Sequence, residues 1–247
     1  MNQNLLYSIA AALGLIITHI FAGKLRFLQV LPRSRWLSGA GGVSVAYVFI
    51  HIFPELNEGQ KTFTQNTPAS LSFIEHHVYL LALLGFTFFY MLERFVKKYG
   101  SHKPSAQKEP QHRLSVFWIH IVSFSIYNFL IGYLLNHREE QTIQSLIFYF
   151  IALALHFTVN DFGLRQHHHH RYDHTGRWVL ASAIAFGWLV GMVVDVDIHV
   201  VTTLFAFLAG SIVLNSMKEE LPEDRESSPG AFLCGVTLYA LLLLASQ

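Results

Sequence analysis

Residues 155–165 read L-H-F-T-V-N-D-F-G-L-R and close an apolar run that begins near Ile143. A histidine, an asparagine and an aspartate inside such a run are costly at membrane depth, and side chains of that kind mark pathways and binding sites. His156 and Asn160 are four residues apart and share one helix face, and Phe157 and Asp161 share the next. An imidazole, a carboxylate and amide oxygens together can hold a divalent cation. Asn128, in the preceding apolar run, and His156 each fall within about 5 Å of the membrane midplane at 1.5 Å per residue. The candidate site residues are therefore Asn128, His156, Asn160 and Asp161, with Thr158 nearby.

The elements that must carry these residues are membrane spans. Apolar residues make up 52% of the 247 and charged residues 13%, and the runs are long enough to cross a bilayer, which takes roughly 20 residues each. Eight spans are expected, at about 5–23, 36–54, 76–95, 114–135, 143–164, 178–196, 199–217 and 230–246. The first has no Lys or Arg before it, unlike a secretory signal, and reads as a retained span. Two longer polar gaps follow spans two and three, and the second, about 96–113, reads as a flexible loop. The single cysteine, Cys234, excludes an internal disulfide.

Charge sets the expected orientation. The gaps after spans one, three, five and seven hold 15 of the 17 Lys and Arg residues; the other side has only Lys61 and Arg138. Those gaps are expected to be cytoplasmic, with both termini outside. Ser38/Gly42, Gly187/Gly191 and Ala206/Gly210 fit the small-xxx-small spacing of close helix contacts. A faint repeat relates spans two and seven. Gly42 precedes Pro54-Glu55 by the same interval as Gly210 precedes Pro222-Glu223. Span two runs outward and span seven inward, so the copies are inverted, a transporter trait that places a site between them near the midplane. Each Pro is expected to end its span.

Eight spans, outward termini, a 3+2+3 repeat, H-I-F-P-E closing span two and L-F-A-F-L-A-G-S-I-V in span seven resemble the ZIP family of zinc and iron transporters. The family's fourth span reads H-N-x-x-D-G. Here Asn128 and Gly132 match, while Tyr127 and Ile131 replace the His and Asp. Its fifth span reads H-E-x-P-H-E-x-G-D. Here His156 and Gly163 match, Asn160 and Asp161 stand for a His and a Glu, and the first Glu, the Pro and the last Asp are absent. The resemblance implies an all-α integral membrane protein, one polytopic unit over 1–247, that moves a divalent cation between spans four and five through a metal site at Asn128, His156, Asn160 and Asp161. With a thinned donor set the ion is zinc or a harder divalent cation, as substrate and not as a catalytic cofactor. Expected partners are membrane lipid and that cation, with a homodimer left open and no nucleic acid. A plasma or bacterial inner membrane is the expected location.

Other readings stand beside this one. A ZIP-like fold without transport could act as a metal sensor or partner protein. An intramembrane metal hydrolase would have to gather His51, His156, Asp161 and His199, which the spans put at different depths. Asn128 and Asn160 also serve as interhelical hydrogen-bond groups, and Asp161 can pair with Arg165 at i+4. His51 and Glu55 sit at the outer mouth of span two. Glu219, Glu220 and Glu223 form an acidic patch at the inner end of span seven. His19 and His120 have no visible partner and read as structural. His167–His170, Asp173 and His174 form a polar loop able to hold zinc or nickel loosely.

Overall fold

The computed structural model describes residues 3–22, 33–66, 77–100, 109–137, 142–168, 170–218 and 228–245. Among them every regular element is helical, as expected for backbone that must satisfy its own hydrogen bonds in lipid. The helices are α1 (Gln3–Phe21), α2 (Arg33–Tyr47), α3 (Phe53–Asn66), α4 (His77–Gly100), α5 (Glu109–Leu134), α6 (Ile143–His168), α7 (Arg177–Val193), α8 (Ile198–Lys218) and α9 (Pro229–Leu244). Six helical stretches are long and apolar enough to cross a membrane, and α1 and α9 contain shorter apolar stretches. The chain is a multi-pass membrane protein by the length and composition of its helices. Phe186, Leu233, Leu241 and Met91 are exposed on its flanks, as side chains facing lipid are.

Three expectations need correction. Pro54 does not end the second span. A π-helical turn, Val48–Ile52, joins α2 to α3, and helix runs on to Asn66. A proline in an α-helix lacks one donor and strikes the carbonyl four residues back. The wider π turn just ahead moves that carbonyl and lets the helix continue. The counterpart Pro222, with Glu219, Glu220 and Glu223, lies outside the described residues. The expected loop at 96–113 is shorter, because α4 continues to Gly100 and α5 starts at Glu109. The histidine-rich segment is no open loop: α6 extends to His168 and a second π turn, Tyr172–Gly176, leads into α7. Arg165 closes this reversal by donating from Nε to Asp173, 2.9 and 3.1 Å from its two oxygens.

The helices pack in pairs. α5 lies along α7, α2 along α9, and α4 along α8, while α1 contacts α6 and α7, and α2 contacts α6. The three small-residue motifs all sit in these contacts. A methyl group on Gly132 would strike the Ile184 carbonyl, and one on Gly187 the Phe129 carbonyl, so α5 and α7 touch backbone to backbone. Gly42 meets the Phe232 carbonyl of α9, and Gly210 meets the Ala82 carbonyl of α4. Gly235 meets the Gly39 carbonyl, and Gly85 meets the Phe207 carbonyl. These four contacts form two matching sets. An offset of 168 residues carries Gly42 to Gly210 and Gly39 to Phe207, and an offset of 150 carries Ala82 to Phe232 and Gly85 to Gly235. The interface of α2 with α9 is thus built on the same register as that of α8 with α4.

Candidate functional site: a buried polar centre

α1, α5 and α6 bring six polar side chains together inside the bundle. α5 supplies Tyr127 and Asn128. α6 supplies His156, Asn160 and Asp161 from the two adjacent faces that the four-residue spacing defines. α1 supplies His19, whose place here was not visible in the sequence. All six are buried, and His19, Tyr127, Asn128 and Asp161 are each 1% exposed.

They form two hydrogen-bonded sets. In the first, His19 Nδ1 lies 2.9 Å from both oxygens of Asp161, and its Nε2 lies 3.1 Å from Asn128 Oδ1. The Asn128 amide donates to the Phe124 carbonyl at 2.8 Å, which turns its oxygen to His19. A side-chain oxygen of an amide only accepts, so Nε2 donates; the Nδ1–carboxylate contact needs one more proton. In the second set, Tyr127 Oη lies 3.0 Å and Asn160 Nδ2 2.9 Å from His156 Nε2. Phe157 lies between the sets, its ring centre 4.4 Å from that of His19 and 6.3 Å from that of His156.

The structure thus brings Asn128 and Asp161 together through His19, and His156 to Asn160 directly. Asp161 pairs with His19, while Arg165 takes Asp173, so the expected i+4 pairing of Asp161 with Arg165 is replaced. Thr158 donates to the Ala154 carbonyl within its own helix. Among the described residues, no three His, Cys, Asp or Glu side chains gather as a ready metal-holding group. The donors nearest to one another are mixed: one carboxylate, two imidazoles, two amides and a phenol.

Other residues singled out above fall elsewhere. His51 lies 3.5 Å from Glu55 one turn on, and its ring stacks on Tyr47 at 5.0 Å. The Tyr47 hydroxyl is buried with no hydrogen-bond partner among the described residues. His199 packs against Phe63, so the four hydrolase candidates each have neighbours of their own. His120, far from partnerless, joins α4, α5 and α6: its Nε2 lies 3.8 Å from Glu93 and its Nδ1 3.1 Å from His168. His170 and His174 stack at 3.9 Å. His169 lies outside the described residues.

The partners of His19 and His120 are 142 and 48 residues away along the chain. The only sequence signal they gave was a titratable residue inside an apolar run, which is a reason to look for a partner. No family model, no curated protein and no solved structure matches this chain.

Proposed function

We propose that this protein is a ZIP-like carrier that moves a divalent metal cation across a membrane through the polar centre formed by α1, α5 and α6. The observation that carries this reading is the convergence of His19, Tyr127, Asn128, His156, Asn160 and Asp161, all buried, on helices of a multi-pass membrane protein. Groups so costly in lipid are retained where a pathway needs them. Asp161 would supply the charge, with Asn128 and His19 as neighbouring donors, and His156 and Asn160 the second set. With mixed oxygen and nitrogen donors, the cation is zinc or a harder divalent ion.

The helix contacts support the 3+2+3 inverted arrangement. Exchanging α1 with α7, α2 with α8, α4 with α9 and α5 with α6 maps the principal pairs onto one another: α5–α7 onto α6–α1, and α2–α9 onto α8–α4. The glycine registers repeat under the same exchange. On this reading the chain crosses eight times with both termini outside.

A second reading rests on one specific observation. His19, itself held by Asn128, already satisfies Asp161 from within, so a tethered imidazole stands where a cation would bind. A ZIP-like scaffold closed in this way would not transport. Uptake of Zn²⁺, Mn²⁺ and Mg²⁺ by the purified protein in liposomes separates the two. Transport predicts protein-dependent uptake that His156→Gln abolishes, with the variant still monodisperse. The closed scaffold predicts no uptake by the wild type, while Tyr127→His with Asn160→His gains zinc binding. Both replaced groups already meet at His156 Nε2, and imidazole is the better zinc donor. Uptake unchanged by His156→Gln would remove the central site from either account.

A further inference from the structure

A cavity of about 850 Å³ opens along α4 where it meets α5. Its walls are Phe88, Met91, Leu92 and Phe95 of α4 and Ile119 of α5, and Arg94 and Lys98 complete its lining. Met91 is 61% exposed and Phe88 49%, so the apolar wall faces outward. Arg94 and Lys98 are one helical turn apart, both exposed, toward the end of α4 and beyond most of the apolar wall. Glu93, the acid of this stretch, is turned into the bundle beside His120, with a side chain only 13% exposed. The groove therefore presents an exposed arginine and an exposed lysine next to a long apolar wall.

We propose that this groove is a binding site for an anionic phospholipid of the surrounding bilayer. The phosphodiester would sit between Arg94 and Lys98, and an acyl chain would lie along Phe95, Met91 and Phe88 against Ile119. Arg matches a phosphate with two parallel N–H donors, and both long side chains hold their charge at the headgroup level while their stems cover apolar surface. A zwitterionic lipid brings a cationic headgroup to two like charges and loses that match. Basic pockets between membrane helices select anionic headgroups on these grounds. The inference requires a membrane protein but not transport.

The full-length protein would be purified and its lipid binding read by native mass spectrometry, with phosphatidylglycerol and phosphatidylcholine of identical chains as probes. At roughly 1 kcal/mol for each basic residue near the headgroups, the anionic lipid should bind about 30-fold more tightly. Arg94→Gln with Lys98→Gln should bring it to the level of phosphatidylcholine, whereas Arg35→Gln, an exposed cation at the start of α2, should change nothing. Ile119→Trp, which fills the groove without altering charge, should lower retention of the anionic lipid as well. The proposal is overturned if the wild type shows no preference, or if Arg35→Gln removes as much as the groove variant. It fails equally if Ile119→Trp leaves retention intact, or if millimolar inorganic phosphate displaces the lipid, since that would make the site a phosphate site.

Discussion

Asp161 and His19 hold each other in place from opposite ends of the sequence. Each is 1% exposed, and neither has water to fall back on. Removing one partner of such a pair leaves a buried, uncompensated group, whereas removing both leaves mainly a packing defect. His19→Ala and Asp161→Ala should therefore each destabilise the protein by about 3–5 kcal/mol. The double variant should lose clearly less than the two costs combined. Unfolding of the four proteins in one detergent measures the coupling, and strict additivity would mean that the contact contributes nothing. The pair also marks the limit of what the sequence offered. Asn128, His156, Asn160 and Asp161 stood out because each is a polar residue within an apolar run, and that is a local property. That His19 joins them depends on how α1 packs on α6, which no spacing within α1 encodes. The same limit applies to Arg165: local spacing offered Asp161 as a partner, but the reversal of the chain brought Asp173 closer.

At the scale of elements, the helices were legible because lipid leaves so few alternatives, and their ends were not. Pro54 resembled a stop signal until the π turn at Val48–Ile52 accommodated it. A turn of that kind is a matter of backbone register rather than of residue type, and π turns cluster at functional sites. Here it sets His51 over Tyr47 and beside Glu55. The small-residue motifs were better guides, because a missing Cβ has a direct geometric use. Gly42 and Gly210 each face a backbone carbonyl of the partner helix at matching positions of two related interfaces. A methyl group at either must push helices apart, and overpacking of this kind costs about 1–3 kcal/mol. Gly42→Ala and Gly210→Ala should lower thermal stability by similar amounts, while Gly230→Ala, with open space around it, should have little effect. A large loss at Gly42 with none at Gly210 would show that the shared register carries no shared energetics.

For the whole molecule the deciding quantity is where the charge lies. Most of the Lys and Arg residues that set the expected orientation belong to the connections and helix ends, and several, such as Lys24, Arg26, Lys103 and Lys108, lie outside the described residues. Packing alone does not orient the bundle, because an inverted repeat looks alike from both sides, so orientation rests on the cytoplasmic preference of Lys and Arg. That preference is legible in sequence and invisible in helix contacts, the reverse of the His19 case. The prediction is correspondingly direct. In a background with the exposed native thiol removed by Cys234→Ser, a cysteine at Asn2 should react with a membrane-impermeant reagent in intact cells. One at Ser105 should react only after the membrane is opened. Lys61 and Arg138 mark the sparsely charged side, so Lys61→Cys should behave like Asn2→Cys. If Ser105→Cys labels in intact cells while Asn2→Cys and Lys61→Cys do not, the bundle is inserted the other way, with His51 and Glu55 at its inner mouth. If Asn2→Cys and Ser105→Cys label alike, the three apolar stretches between them do not all cross, and the eight-span arrangement proposed above is lost with its orientation.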